Sequence, residues 1–344
     1  MTTWVLHVDL DQFIAAVELL RRPDLVGKPI VVGGDGDPAK RGVVATASYE
    51  ARAYGVHSGL PLRTAARRCP DAVFLPVDRP AYEAASGEVM TAVRSLGAVT
   101  EVMGWDEAFL AVDTDDPEAF ARRIQQVIKS ATQLDSTVGI GENRLQAKLA
   151  TGFGKPAGVF RLTHGTWFGV LGSQPVSALW GVGAKTAAKL AELGIATVSG
   201  LAAADVATVA GRFGPTIGPW LVATARGLDS AHVTGEPYLP RSRGREETFQ
   251  QDIDDWDRVR AEVARLAALV TDDVVAEGRP AMRVVVKVRY RPFFTGTHGV
   301  PLGAATADRG AIEQAALAAL DRFTDRRPVR LLGVRAEFVP EPEG

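Results

Sequence analysis

Residues 7–18 read HVDLDQFIAAVE, and together with the apolar run TWVLHVDL at residues 3–10 they decide how the chain is organised. Read as a strand, the run places Asp9 and Asp11 on one face, because side chains alternate with period two. Two negative charges would crowd there. Phe13, Ala16, Val17 and Leu20 follow at helical spacing, so the chain turns from strand to helix near Asp11. Asp11 then suits an N-cap that accepts the free amides of the first turn, and Asp9 is left without a structural task.

The chain of 344 residues is 46% hydrophobic with a net charge of −2, which fits a globular protein of two to four domains. Its 35 glycines and 20 prolines are too few for a disordered or fibrous protein. The single cysteine, Cys69, excludes an intramolecular disulfide and fits a reducing compartment, and the five scattered histidines offer no zinc spacing. No apolar run approaches the ~20 residues of a membrane span, and the N-terminal residues lack a signal-peptide pattern, so a cytoplasmic location and no membrane partner are expected. Near-neutral net charge does not decide about nucleic acid, because a basic face can be offset by acids elsewhere.

From Thr3 to Gly141 the pattern is strand, helix, an intervening region, helix (PAYEAASGEVMTAVRSLG), strand (VTEVMG), strand (EAFLAVD), helix with Phe120, Ile124, Val127 and Ile128 on one face, and strand (STVGI). Without the intervening region this is βαββαβ, in which the first strand lies beside the third, the one that starts at Asp106-Glu107. Asp9 and the turn GWDEAF can then converge across neighbouring strands, and three clustered carboxylates need a cation. Residues 165–232 become helical and rich in Gly and Ala. There LWGVGAKT opens a helix with a glycine turn suited to a phosphate, and GRFGPTIGPWL echoes it. A Pro, Gly and Arg-rich stretch, HVTGEPYLPRSRGR, reads as a linker, and the last hundred residues repeat βαββαβ. In its middle strand Val284, Val286, Val288 and Tyr290 alternate with Arg283, Lys287, Arg289 and Arg291, giving one buried and one cationic face. Any one such charge is most simply a solvated side chain. Four together, with Arg241, Arg243 and Arg245 before them, favour a polyanion.

A lone Asp-x-Asp is usually a cap or a turn. Joined to Asp106-Glu107 on a neighbouring strand, it suits Mg²⁺, which takes its remaining ligands from a substrate phosphate, and two such ions can align a hydroxyl and a leaving oxygen around one phosphorus. In VVATASYEARAYGV, Thr46, Tyr49 and Arg52 recur every three residues and share a face if the segment is helical; an arginine beside a phenol can clamp a triphosphate. Alone, that is more often an amphipathic surface. Lys148 and Lys155 in RLQAKLATGFGKPAG read as solvated lysines unless a phosphate is near, and the glycines of VVGGDGDP read as a tight turn.

Taken in order, HVDLDQFIAAVE, VVATASYEAR, GWDEAFL, STVGIGENRLQAKLATGFGKPAG and LWGVGAKT resemble a Y-family translesion DNA polymerase of the bacterial polymerase IV branch, over essentially the whole chain. The resemblance implies an α+β right-hand fold. It has a ferredoxin-like palm (1–10 and 76–165), small fingers (11–75), a helix-hairpin-helix thumb (166–232), a linker (233–240) and a βαββαβ little finger (241–339). It further implies Asp9, Asp106, Glu107 and the Leu10 carbonyl as ligands of two Mg²⁺ ions, with Mn²⁺ as the alternative metal. The implied triphosphate contacts are Tyr49, Arg52 and Lys155, with Thr46 nearby and amides near Gln12 and Phe13. DNA contacts fall at Lys148, Gly181, Gly183 and Lys185 and on the little-finger cations. The implied partners are primer-template DNA and deoxynucleoside triphosphates, for a monomer.

Small residues at Ala45, Ala47 and Ser48, where the nascent base pair should rest, suggest a loose pocket and low fidelity, and no segment is left for a proofreading exonuclease. Ile14 departs from the pattern that the resemblance implies: members of that family usually carry Phe or Tyr there, whose ring excludes a ribose 2′-hydroxyl. Isoleucine is shorter and stiff at its branch, so ribonucleoside triphosphates are expected as substrates too, unless Ile14 only packs against the palm and another residue guards the sugar. The acidic ending EFVPEPEG has no glutamine-led apolar motif and gives no support to docking on a sliding clamp through the tail. Rival readings are a non-catalytic DNA-binding factor, which the intact acid trio disfavours, and a nucleotidyl cyclase, which needs neither the hairpin nor the basic C-terminal unit.

Overall fold

The computed structural model describes residues 2–340. Contacts divide the chain into two compact units, Met1–Asp37 with Val43–Pro237, and Pro38–Gly42 with Tyr238–Gly344.

The first unit is built on a five-stranded sheet that contains β1 (Thr2–Leu10). The chain then forms α1 (Phe13–Arg21), β2 (Ile30–Val32), β3 (Thr46–Ala47), α2 (Tyr49–Arg52), α3 (Leu62–Arg68) and β4 (Val73–Leu75). It returns to the large sheet through α4 (Arg79–Arg94), β5 (Val99–Val102), β6 (Glu107–Thr114), α5 (Pro117–Thr132), β7 (Ser136–Gly141), α6 (Arg144–Gly154) and β8 (Val159–Arg161). The strand order β5-β6-β1-β7-β8 sets the first strand between the third and fourth strands of the expected βαββαβ core, as that layout requires; β8, parallel to β7, is an addition that its three residues were too short to signal.

Alternation in β1 explains the layering. Leu6, Val8 and Leu10 point into a core shared with Tyr82, Val89 and Val93 of α4 and Ala121, Ile124 and Ile128 of α5. Burying side chains of this size contributes roughly 1.5–3 kcal/mol each. Asp78 and Asp116 start the two covering helices by accepting the amides of Ala81 and Ala119 at 3.3 and 2.9 Å. The opposite face of β1 carries His7 and Asp9.

Two local expectations are corrected. Gln12, in the left-handed region at φ 43°, is the N-cap of α1, and Asp11 does not cap it. Thr46 lies in β3, paired with Val32, and Ser48 starts α2 by accepting the Ala51 amide. A strand followed by an N-cap cannot carry a helical face, so Thr46, Tyr49 and Arg52 do not share one. Ala47 and Ser48 are fully buried beside β2, which leaves only Ala45 of the three small residues exposed. The turn in VVGGDGDP is present: Gly36 donates to the Gly33 carbonyl at 3.0 Å and takes φ +82°.

Helices α7 (His164–Leu171), α8 (Ala184–Ala191), α9 (Val198–Ala203), α10 (Val206–Phe213) and α11 (Ile217–Ala225) follow and share a core around the fully buried Trp167, whose indole N–H donates to the Ala225 carbonyl at 2.8 Å. Gly181, at φ +86°, makes the turn before Gly183 caps α8, and a side chain at Gly181 would also meet the Trp220 ring.

The second unit is again βαββαβ: β9 (Ser242–Ile253), α12 (Trp256–Glu277), β10 (Ala281–Tyr290), β11 (Thr295–Thr306), α13 (Arg309–Leu320) and β12 (Val329–Phe338), with strand order β11-β10-β12-β9. Val284, Val286 and Val288 are fully buried against α12 and α13, as their alternation demands. Among the described residues no helix is long and apolar enough to cross a membrane. The acidic ending runs into residues 341–344, outside the described residues.

Candidate active site

The site forms on the face of the five-stranded sheet that carries His7 and Asp9. Antiparallel pairing of β1 with β6 sets Asp9 directly opposite Glu107 and His7 opposite Phe109, and directly opposed residues share a face. Asp106 precedes β6, and its carbonyl accepts the Leu10 amide at 2.9 Å, which ties the GWDEAF turn to the end of β1. Asp9, Leu10, Asp106 and Glu107 thus meet where two strands end.

Helix α6 covers the same face because β7 offers it glycines. A side chain at Gly139 would lie 2.1 Å from the Ala147 carbonyl oxygen, and one at Gly141 2.5 Å from the Ala147 amide, so only glycine allows this approach. Asn143 caps the helix by accepting the Gln146 amide at 2.9 Å. The close packing delivers two lysines to the acids. Lys148 pairs with Glu107, and Lys155, which ends the helix, pairs with Asp9 while standing 3.5 Å from the Leu10 carbonyl and 3.7 Å from Asp11. Among the described residues no three acidic, histidine or cysteine side chains are gathered tightly enough to enclose an ion. The expected clustering is one of backbone position; two of the three carboxylates are turned onto lysines.

Burial and neighbouring groups together set the proton affinities. Burial raises the Asp106 carboxyl above its ordinary value, and the neighbouring charges of Asp9 and Glu107 raise it further, as expected of crowded carboxylates. Glu107 is held down to about 2 by the His7 ring edge and the Lys148 ammonium, against an opposing burial effect. Burial pushes His7 toward its neutral form. Its charge is therefore small at neutral pH, and Lys148 supplies the lasting counter-charge. The donor set of Asp9, Asp106, Glu107 and the Leu10 carbonyl consists of hard oxygens, which suit Mg²⁺ or Mn²⁺ rather than a soft metal.

Tyr49 and Arg52 lie on α2. The Tyr49 amide donates to Gln12 Oε1 at 2.6 Å and its hydroxyl to Asp11 at 2.9 Å, while the Arg52 guanidinium stacks 5.0 Å from the Tyr49 ring centroid and donates to the Ala47 carbonyl at 2.9 Å. Burial raises the Tyr49 hydroxyl above the ordinary tyrosine range, and the bond to Asp11 adds to the effect. Asp11 also accepts from Thr137 at 3.0 Å and from the Ala157 amide at 2.7 Å, so it fastens α1, α2 and β7 to the segment after α6. Phe13 is buried in the core and Ile14 is half-buried against it. Thr46 is buried.

The C-terminal cations do not form one face. Arg283, Lys287 and Arg289 lie on the uncovered side of their sheet, together with Glu246 and Glu337, and Lys287 pairs with Glu246 at 2.8 Å. Arg243 and Arg245 oppose the buried Ala336 and Val334, so they point to the helix side, where they bind Glu277 and Asp273 of α12. Arg241 and Arg291 stand just outside their strands. The alternating pattern of β10 was legible, but the acids that interleave with it come from β9 and β12 and needed the register. Also missed from sequence were His7 and Thr151 beneath Lys148, and Arg144, which stacks on Phe109 and pairs with Glu101 at 3.1 Å. The available signal was a histidine two residues before Asp9, hence on the same face of β1.

Comparison with known proteins places this geometry. A family model described as the impB/mucB/samB family matches residues 8–152, and the C-terminal domain of that family matches residues 240–344. The chain is 49% identical to DNA polymerase IV 2 of Mycobacterium tuberculosis (strain ATCC 25618 / H37Rv), over 97% of this chain and 98% of that one. It is 40% identical to DNA polymerase IV of Methanoculleus marisnigri, over 97% and 94%. Among solved structures it resembles a Y-family DNA polymerase chimera, Dbh-Dpo4(243-245)-Dbh, with TM-score 0.86 and 27% identity over 97% of this chain and 98% of that one. An insertion ternary complex of Dbh DNA polymerase gives TM-score 0.68 at 26% identity, over 98% and 99%. With both family domains matched and polymerase IV relatives aligned from end to end, the chain belongs to the Y-family translesion DNA polymerases, in the DinB-like polymerase IV branch.

Proposed function

We propose that the polymerase reaction takes place over the ends of β1 and β6, on primer-template DNA, with Asp9, Asp106, Glu107 and the Leu10 carbonyl holding two Mg²⁺ ions. The facing of Asp9 and Glu107 across adjacent strands, with Asp106 fixed beside them through its carbonyl, carries this reading. Bound there, the ions would stabilise the oxygens that gain charge as the primer 3′-oxygen attacks the α-phosphorus and pyrophosphate leaves. The chain's own side chains position the nucleotide. Lys155, already beside Asp9, turns to the triphosphate with Arg52 and Tyr49, whose α2 is fixed to Gln12, and the Gln12 and Phe13 amides at the start of α1 add donors.

In this reading residues 1–10 and 76–165 are the palm, 11–75 the fingers, 166–232 the thumb and 241–339 the little finger. The Gly181–Gly183 turn, with Lys185, holds a duplex phosphate, and Arg283, Lys287 and Arg289 follow the backbone. Ile14, half-buried and unable to place a ring over the sugar, admits ribonucleoside triphosphates beside deoxynucleoside triphosphates. Primer extension with Mg²⁺ tests the core of this reading. The native chain extends and Asp106→Ala does not; equal extension by both would remove the acids from the mechanism, and DNA binding without extension by either would favour a non-catalytic factor.

A further inference from the structure

Beneath the two acids on the strands lies a polar chain that the nucleotide and metal contacts leave without a task. His7 is fully buried on the inner side of α6. Its Nδ1 lies 2.8 Å from Thr151 Oγ1, and its Nε2 lies 3.3 Å from the Lys148 ammonium and 3.4 Å from Glu107. The Thr151 hydroxyl has one proton, and helical geometry directs it to the Ala147 carbonyl at 3.0 Å. It therefore accepts from His7, which puts the imidazole proton on Nδ1 and leaves Nε2 as an acceptor for Lys148.

Nε2 thus faces both the ammonium and the carboxylate, and it is the Lys148 ammonium that donates to Glu107. Lys148 reaches Glu107 from a side chain three-quarters buried, so its remaining freedom is small. Gly139 keeps the helix close enough for the whole chain of contacts to close.

We propose that Thr151 and His7 form a buried hydrogen-bonded rail that holds Lys148 on Glu107, making Lys148 a built-in counter-cation that a divalent ion displaces when it takes Glu107 as ligand. His7 is then a positioning residue for metal capture. The inference rests on the reading of Asp9, Asp106 and Glu107 as the metal ligands. The arrangement keeps the half-buried Glu107 neutralised before substrate arrives, and it raises the metal concentration at which the site fills.

The test is Mn²⁺ binding to the full chain with a dideoxy-terminated primer-template and the matching deoxynucleoside triphosphate, read from the paramagnetic resonance signal of the free ion. Lys148→Met should bind Mn²⁺ about three- to tenfold more tightly than the native chain, the scale expected for removing one partly buried competing charge. His7→Phe should shift affinity the same way by less, and His7→Gln, whose amide oxygen can accept from Lys148, should return it toward native. In the double variant His7→Phe with Lys148→Met, the histidine change should add nothing. Unchanged or weaker binding by Lys148→Met overturns the proposal, as does a His7→Phe effect that persists undiminished without Lys148. If instead the native chain takes up no more Mn²⁺ than Asp106→Ala, the assignment of the acids as metal ligands fails, and the rail falls with it. Should His7→Phe not fold, the Lys148→Met arm decides alone.

Discussion

The Tyr49 hydroxyl donates to the Asp11 carboxylate at 2.9 Å, joining a helix of the inserted region to the end of the first strand. Thr137 and the Ala157 amide bind the same carboxylate, so three separately placed segments converge on one side chain that is only 4% exposed. Asp11 is in this sense the fastening of the site, while Asp9, two residues before it, pairs with Lys155.

Removing that fastening should cost stability. Asp11→Ala orphans the buried Thr137 hydroxyl and frees the partly exposed Ala157 amide, and the expected loss is about 1–3 kcal/mol, the cost of one buried unsatisfied donor. Urea denaturation followed by tryptophan fluorescence measures it. A loss under about 0.5 kcal/mol, the usual range for surface changes, would show that the segments are held elsewhere.

Gly139→Ala tests the close approach of α6. A methyl group 2.1 Å from the Ala147 oxygen and 2.4 Å from the Thr151 amide meets backbone that cannot yield by rotation. We expect destabilisation of about 3 kcal/mol or more, at the upper end for overpacking. In any folded fraction, extension should fall because Lys148 and Lys155 move together. Wild-type stability and activity would contradict the packing.

Substitution at Ile14 probes sugar selection. Ile14→Phe should improve the preference for dATP over ATP by about tenfold to a hundredfold, with dATP incorporation itself little changed, because a ring opposes the 2′-hydroxyl by excluded volume. Steady-state kcat/KM for the two nucleotides gives the ratio. A native enzyme already selective for dATP would mean that another residue guards the sugar.

The two sets of C-terminal cations should separate cleanly. Arg245→Ala breaks a bond to α12 and should lower the stability of that unit with little effect on DNA affinity. Arg289→Ala, on the uncovered side, where the guanidinium bonds Thr295 at 2.9 Å and stacks on Phe293, should weaken DNA binding and reduce the salt slope by about 1. Fluorescence anisotropy over a range of salt distinguishes them, and equal slopes for both variants would refute the division.

Alkaline pH offers a further check on the core. The hydroxyl of Tyr82 donates to Glu18 at 2.8 Å, and burial, with that bond adding, pushes it up to about 12 from an ordinary 10. A raised value means that the folded state holds the proton more tightly. The stabilisation is therefore complete below pH 10 and is lost as pH rises toward 12. Tyr82→Phe should flatten the fall in stability across that window in urea titrations at successive pH values. An unaltered slope would place its cause in other tyrosines, Tyr290 among them, since burial raises that hydroxyl too.

Periodicity in the sequence was enough to determine both βαββαβ units, because alternating and helical burial patterns are local properties of the chain, as Leu6, Val8 and Leu10 or Val284, Val286 and Val288 show. The same pattern implied that the first strand lies beside the third, and with it the meeting of Asp9 and Glu107. Which side chains then neutralise one another was settled only by tertiary structure. The residue pattern alone gives Lys148 and Lys155 as solvated lysines, and only the packing of α6 on Gly139 and Gly141 sets them on Glu107 and Asp9. Asp11 read as a cap until Gln12 took a left-handed conformation and freed it for Tyr49, Thr137 and Ala157. Arg243 and Arg245 read as a DNA-facing charge until register turned them toward α12. Charge pairing depends on distances between residues far apart in the chain, and a one-dimensional pattern carries no information about those distances.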